Sequence, residues 1–376
     1  MGLKILLTDD LTNLIGVVVG TRPSLVKQSP VIRELQRQGI PYFLIHTGQH
    51  YSYELDRTFF NDLELPEPDV RLQGIEKCQF HGEQTAAMLQ QIEQVLLTRR
   101  PRVLLVGGDA NSNLAGALAA RKLNLCLAHD ESGLRSYTWN VPEEHNRVVI
   151  DHIADYLFVH HERAKQTLEA EGVRGRIFIT GSTIGDAVSE NFQIAQEKSR
   201  ILDKLALQPG QYLVMTLHHE ENVDYREEIA NILQGAKTIG EKFQMPVIFP
   251  IHPRTRLRLE QFGLEEIHQH PWIKIVKPLG YLDFLLLVGK ACLVMTDSGG
   301  LIQEAAIMHV PCLTLGKYTE WTEVLEIGAN LVSLNDPRLM MDHAETLRHF
   351  PRDWPDPFGQ PGAAQRIVES LKTAFV

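Results

Sequence analysis

A chain of 376 residues, 44% hydrophobic and 22% charged, is long enough for two hydrophobic cores and falls outside the disordered and fibrous classes. Its net charge of −10 argues against a nucleic-acid binder with a basic face, although local Arg, Lys and His residues can still set the field of a cleft for an anionic small molecule. No apolar run reaches transmembrane length, and "MGLKILLTDDLTN" turns polar too early for a signal peptide, so the expectation is a soluble, cytoplasmic protein without membrane insertion.

Leu3–Leu7 is either an extra strand or an extension of the next one. Gly16–Val19 is a short buried strand, turned at Gly20 into a helix that opens near Pro23. Strands then follow at Tyr42–Ile45, Val103–Val106, Leu125–Ala128, Tyr156–Val159 and Ile177–Thr180, separated by helical patterns such as "GEQTAAMLQQIEQVLLTRR". After a pause at "NFQIAQEKSRILDKLALQPGQ" the alternation restarts, with strands at Tyr212–Met215, Val247–Phe249, Ile273–Val276, Leu293–Met295, Cys312–Leu315 and Leu331–Ser333. A Pro-containing stretch, "RDWPDPFGQPGAA", precedes a last helix. Near-continuous apolar strands alternating with helices predict an α/β chain of two doubly wound parallel sheets, with ligands beyond the strands' carboxyl ends and a cleft between the domains as the natural site. The four cysteines form no C-x-x-C pair and read as buried reduced thiols.

The strand ends read "GTRPSLVK", "TGQHYSYE", "VGGDANS", "HDESGLRS", "TLHHEEN", "PIHPRT" and "TDSGGLIQEA". Asp, Ser and Gly are common caps and turn formers, so any single end is explained by local structure. Acids and histidines at nearly every end are not. Ser298, Gly299 and Gly300 open a helix after a buried strand, which suits phosphate, and Glu304 lies one turn further, within reach of ribose hydroxyls. Arg22 and Lys27 flank the first Gly turn as candidate anion-binding cations. Asp109 and Glu131 end neighbouring strands and could face one ligand as acid and base. Glu143 and Glu144 fit a solvated helix first turn equally well. There is no G-x-G-x-x-G after the first strand, no P-loop, and no H-E-x-x-H or Cys/His quartet, so neither a dinucleotide, a P-loop nucleotide nor a metal is expected as cofactor.

The ordered set G-T-R-P…K, G-D, H-x-E-x-G-L-R, P-E-E-x-N-R, T-x-H-x-x-E-N, H-P, T-D-S-G-G and T-E-W resembles the non-hydrolysing UDP-N-acetylglucosamine 2-epimerases from Gly16 to the last helix. The resemblance implies a glycosyltransferase-B-like fold. Residues 1–185 form a Rossmann-like domain with the catalytic carboxylates, 186–362 a second one binding UDP, and 363–376 a helix packing back on the first. It implies a homodimer serving polysaccharide biosynthesis, no cofactor, and inversion at C2 by loss of UDP to a 2-acetamidoglucal and its re-addition. Asp109, Glu131, Glu143 and His218 match its catalytic positions. Arg22, Lys27, Arg147, His252, Phe284, Ser298, Gly299, Gly300 and Glu304 match substrate-binding ones, with Arg22 and Lys27 on the diphosphate and Phe284 beside the uracil. Gln49 and His50 match part of a second, activating UDP-sugar site. The chain departs from the pattern at Ser24 (usually Glu), Ala110 (Thr), Asp130 (apolar) and Ser132 (Ala), and carries His219 and Glu220 where a basic residue is usual. The alternatives are an epimerase of a UDP-diacetamido sugar or uronic acid, the hydrolysing branch, a retaining glycosyltransferase, and a silent UDP-sugar-binding protein.

Overall fold

The computed structural model describes residues 13–49, 59–319 and 321–375. The chain divides into two compact units, one running to Ala187 and regaining Phe358–Val376, the other Val188–Pro357. The segment Leu3–Leu7 lies outside the described residues.

In the first unit β1 (Ile15–Val19), β2 (Tyr42–His46), β3 (Val70–Arg71), β4 (Val103–Gly107), β5 (Cys126–Asp130), β6 (Tyr156–Val159) and β7 (Arg176–Ile179) form one sheet. Every pairing is parallel and the order is β3-β2-β1-β4-β5-β6-β7. β1 and β4 are buried along their whole length, as a sheet covered on both faces requires. The two-residue β3 was not anticipated, because it contributes no apolar run and only extends the ladder beside Ile45 and His46. The other strands lie within two residues of their expected bounds.

Helix α1 (Arg22–Arg37) follows β1 directly. The Thr21 hydroxyl accepts from Ser24 N at 3.2 Å, and Pro23 occupies the first turn, where its missing N–H costs nothing. Pro30 lies inside the helix and cannot donate to the Val26 carbonyl. The Ser29 hydroxyl takes that carbonyl instead, at 2.7 Å. α2 (His81–Arg99), α3 (Asn111–Lys122), α4 (Pro142–Ile153), α5 (Glu162–Glu171) and α6 (Thr183–Lys198) complete the alternation. Val18, Phe43, Ile92, Leu104, Val106, Leu127 and Leu157 belong to the core.

The second unit repeats the plan with β8 (Leu213–Thr216), β9 (Val247–Pro250), β10 (Ile273–Val276), β11 (Leu293–Thr296), β12 (Cys312–Thr314) and β13 (Asn330–Val332). The order is β10-β9-β8-β11-β12-β13, again parallel throughout. Its principal helices are α7 (Arg226–Phe243), α8 (Pro253–Phe262), α9 (Tyr281–Gly289), α10 (Gly299–Ile307) and α11 (Pro337–Arg348). Leu213, Met215, Ile232, Phe249, Leu293 and Met340 lie in its core.

The chain then returns to the first unit. α12 (Ala363–Lys372) buries Ala363, Ala364, Ile367, Val368 and Leu371 and packs on α1. Its opening N–H groups are held by Asp186, which accepts from Gly362 N and Ala364 N at 2.6 and 2.8 Å. Cys292 and Cys312 are buried, whereas Cys78 and Cys126 are only half-buried because each lies at the margin of its element.

Candidate active site

Strand order reverses between β1 and β4 in the first unit and between β8 and β11 in the second. Such reversals leave a crevice at the carboxyl ends of open parallel sheets. The sequence-predicted residues cluster at both places, and each cluster is built from its own unit.

In the first unit β4 and β5 run in register, Gly107 beside Asp130, so the loops bearing Asp109 and Glu131 start level. Gly108 adopts φ +82°, and a Cβ there would lie 2.8 Å from Glu131 Oε2. The Glu131 carboxylate thus rests against the residue preceding Asp109. Glu131 itself has φ 65°, a left-handed conformation that a glutamate holds only when its surroundings impose it. The Lys27 ammonium lies 2.7 Å from one of its oxygens and 2.9 Å from the other, and His160 Nε2 is 3.9 Å from Oε1. Burial opposes the charge on Glu131, but Lys27 and His160 outweigh it and hold the carboxyl below its ordinary range. Burial likewise works against the Lys27 charge, and Glu131 more than restores it.

Asp109 is half-exposed and paired with Arg147 of α4. Asn146 Nδ2 donates to the Asp109 carbonyl at 2.8 Å and to Asn111 Oδ1 at 3.1 Å. The turn is also anchored from beneath. His129 donates to Asp151 Oδ1 (2.7 Å) from Nδ1 and meets the Gly108 carbonyl (3.1 Å) with Nε2. Both ring nitrogens face acceptors, so the ring is held as an imidazolium: burial works against it, Asp151 prevails, and its pKa is raised. Arg135 closes the other side of Asp151 at 2.8 Å.

Glu143 is exposed in the first turn of α4. The expectation of two solvated acids fails for Glu144. It is buried, accepts from Ser136 N (2.9 Å), the Ser136 hydroxyl (3.0 Å) and Tyr137 N (3.0 Å), and meets Arg147 at 3.3 Å. It therefore fixes the preceding loop. Arg22 is exposed at the start of α1 with its guanidinium 5.6 Å from the Phe59 ring centroid. Gln49 Oε1 accepts from Ser112 N at 3.1 Å at the start of α3; its neighbour His50 lies outside the described residues.

In the second unit His218 follows β8 and Asp297 follows β11. The Asp297 carboxylate accepts from His218 N (2.9 Å), His219 N (2.8 Å) and Asn222 Nδ2 (3.2 Å), and lies 3.1 Å from His218 Nδ1. Burial alone would raise its pKa, but these donors hold it down. With Nδ1 donating to Asp297, the His218 ring is oriented and its Nε2 is left for a ligand. The His252 ring lies 5.6 Å from that of His218 and caps α8, accepting from Arg254 N at 3.2 Å. Burial and the neighbouring His218 lower the His252 pKa, favouring the neutral ring.

Ser298 caps α10 and accepts from Leu301 N, leaving the N–H groups of Gly299 and Gly300 without intrahelical acceptors. A Cβ on Gly300 would meet nothing within 4 Å, so a ligand can approach its backbone. Glu304, one turn on, receives the Tyr281 hydroxyl at 3.4 Å. Burial pushes its pKa up to about 7, and Tyr281 works the other way. Phe284 is half-buried on α9, in the turn following Tyr281. Among the described residues, no group of three His, Cys, Asp or Glu side chains could hold a metal ion.

The family model described as UDP-N-acetylglucosamine 2-epimerase matches residues 33–372. The chain belongs to the UDP-N-acetylglucosamine 2-epimerase family. The UDP-N-acetylglucosamine 2-epimerase of Methanocaldococcus jannaschii is 44% identical over 95% of this chain and 98% of its own. A crystal structure of that organism's enzyme in complex with UDP-GlcNAc and UDP covers 96% of this chain and 99% of its own, with TM-score 0.82 at 43% identity. The UDP-2,3-diacetamido-2,3-dideoxy-D-glucuronate 2-epimerase of Pseudomonas aeruginosa is 35% identical over 94% of this chain and 98% of its own.

Within this 2-epimerase-family chain, the sequence reading gave no role to four supporting residues, one of which, Asp130, it marked only as a departure from the family pattern. Asp130 lies behind Glu131 and His160 beside it, Asp151 holds His129 and the Gly133 N–H, and Asp297 lies under His218. His160 and Asp297 stand at strand ends and could have been singled out there. Nothing in the spacing marks Asp151, which faces inward from the last turn of α4.

Proposed function

We propose that this chain inverts C2 of a UDP-2-acetamido sugar without hydrolysis, interconverting UDP-N-acetylglucosamine and UDP-N-acetylmannosamine. The observation that carries the reading is the pairing at the ends of β4 and β5: two carboxylates on adjoining loops, Glu131 held ionised by Lys27 and Asp109 in an ion pair with Arg147. A carboxylate removes the C2 proton while the C1–O bond breaks and its electron pair leaves with the diphosphate, giving a 2-acetamidoglucal and UDP. Proton return to the opposite face of C2 and attack of the diphosphate oxygen on C1 complete the inversion. Asp109 and Glu131 handle the C2 protons, with Glu143 assisting. Oriented cations and helix N–H groups stabilise developing charge strongly where water is excluded. Arg22, His218 and His252 serve the departing phosphate, Ser298, Gly299 and Gly300 hold the diphosphate at the start of α10, Glu304 takes the ribose and Phe284 the uracil.

Lys27 has a second task beyond the anion-binding one its position implied, because its ammonium is already engaged by Glu131. The same reading makes the protein a cytoplasmic homodimer supplying polysaccharide synthesis, with Gln49 and His50 at an activating UDP-sugar site. No helix among the described residues is long and apolar enough to cross a membrane. The Pseudomonas relative favours a second substrate, a UDP-2,3-diacetamido uronic acid.

Incubation with UDP-N-acetylglucosamine in D2O, followed by NMR, tests the reading. Deuterium at C2 with UDP-N-acetylmannosamine appearing is expected. Free N-acetylmannosamine and UDP would place the chain in the hydrolysing branch. Exchange only with the diacetamido uronate would assign the second substrate, and exchange with neither would leave a silent binding protein.

A further inference from the structure

Directly beneath the Glu131–Lys27 pair lies a second carboxylate that the reaction as described does not use. Asp130 is fully buried at the end of β5. Its Oδ2 accepts from Gln28 Nε2 at 2.9 Å and from the Thr183 hydroxyl at 3.0 Å. Its Oδ1 accepts from the backbone N–H of Glu131 at 2.9 Å. Gln28 and Thr183 are as buried as Asp130 itself.

The arrangement is a clamp with two rungs. Consecutive residues of α1, Lys27 and Gln28, hold consecutive residues at the end of β5, Glu131 and Asp130. Thr183 ties the clamp to the first turn of α6. The hydrogen bond to the Glu131 N–H bears on the peptide that enters the left-handed conformation, which is what keeps the Glu131 side chain turned toward Lys27. We propose that Asp130 is a positioning residue for Glu131: it anchors that residue's backbone and places a second negative charge behind its carboxylate.

The charges facing the pair are those of Lys27 and Asp109 from the neighbouring segments, His129 on the same strand and His160 after β6. Asp186, on the same helix as Thr183, is turned to Gly362 and Ala364. Lys27 is in direct contact with Glu131 and reaches Asp130 only through its charge, so the two buried acids do not ionise together. Burial, and then the charge on Glu131, push Asp130 up to about 6, while Glu131 ionises at lower pH. As pH rises through that value, Asp130 gains its charge beside an already ionised Glu131. A like charge so close makes Glu131 hold a proton more strongly, and hence makes it a stronger base.

The inference rests on the role given to Glu131 above, and Asp130→Asn separates charge from structure. The amide keeps an acceptor for the Glu131 N–H. Gln28 Oε1, buried without a hydrogen-bond partner, can turn to receive the new NH2. Two pH profiles are measured for wild type and variant: C2 deuterium exchange with UDP-N-acetylglucosamine, and the 13C signal of the Glu131 carboxyl, assigned by its loss in Glu131→Gln. In the wild type both profiles should step near pH 6. In Asp130→Asn both steps should vanish, exchange at pH 8 should fall about tenfold, and KM should stay within about twofold. Asp130→Ala, which also loses the backbone anchor, should fall roughly a further tenfold. A Glu131 signal that keeps its step near pH 6 in Asp130→Asn overturns the inference. Should the wild type exchange no C2 proton, the proposed function fails, while the carboxyl titration still decides the part played by Asp130.

Discussion

Asp109 and Glu304 are both acids at the carboxyl end of a sheet, yet their surroundings prepare them for different work. Asp109 is half-exposed and paired with Arg147, which holds its side chain at the rim of the turn. Asp109→Asn should therefore lower C2 exchange by about 10²–10⁴, the usual share of a general acid or base, and leave UDP affinity by calorimetry within about twofold. An active Asp109→Asn enzyme would remove this residue from proton transfer. Among the described residues Glu304 has only the Tyr281 hydroxyl hydrogen-bonded to its carboxyl, and burial pushes that carboxyl up to about 7. Ribose hydroxyls donate to the ionised form, so binding draws the acid toward ionisation. The affinity for UDP-N-acetylglucosamine, whose diphosphate diester does not titrate in this range, should then tighten about tenfold from pH 6 to pH 8. Glu304→Gln should bind more weakly and with no such slope. A slope that survives in Glu304→Gln belongs to another group.

Between elements, the tie that matters most is the buried chain joining β5 to α4 and to the Gly108 turn. His129 and Asp151 are fully buried and Arg135 almost so. The raised pKa of His129 contributes stability that is complete below its ordinary value of 6.5 and is lost as pH rises through the folded value. The lowered pKa of Asp151 contributes stability present above 3.8 and lost as pH falls through its folded value. The tie is therefore strongest between those limits. Removing one partner of a buried pair costs about 3–5 kcal/mol. His129→Ala should lower the melting temperature of the first unit by roughly 6–20 °C near pH 6, at 2–4 °C per kcal/mol. The deficit should shrink as pH is raised through the folded value, where the wild type loses the same proton. A deficit by calorimetry that stays constant across the alkaline range would mean that the ring contributes packing alone.

At the scale of the molecule, each unit is a doubly wound sheet whose chemistry gathers where the strand order reverses. The first unit is completed by the last residues of the chain. α12 lays Ile367, Val368 and Leu371 on the unit that contains α1, and Asp186 caps its start. A charge placed in that seam has no partner, so Ile367→Asp should undock the helix. The first unit would then melt earlier and be cut by protease within α12, with the transition of the second unit unchanged. Unaltered proteolysis of Ile367→Asp would show that the helix is dispensable.

Much of this architecture could be read without coordinates, for a definite physical reason. A strand covered on both faces must be apolar throughout, so Val17–Val19 and Leu104–Val106 announce themselves, and in parallel sheets the polar residues that follow such runs all emerge at the same end. The two sheets, the Gly turns and the string of acids and histidines at the strand ends follow from that rule, and the motif order adds the family. What neighbours what across the sheet does not follow. Lys27 and Glu131 are 104 residues apart and Gln28 and Asp130 102, and nothing local distinguishes a lysine that will pair with an acid from one awaiting an anion. Glu143 and Glu144 are adjacent and chemically alike, yet the helical turn exposes one and buries the other under the Ser136 loop. Asp130 reads as a misplaced charge in a strand until Gln28 and Thr183 are seen to meet it. Local pattern determined the elements and the end of each sheet where chemistry lies; packing alone decided which charges meet, and so which of them are free to act.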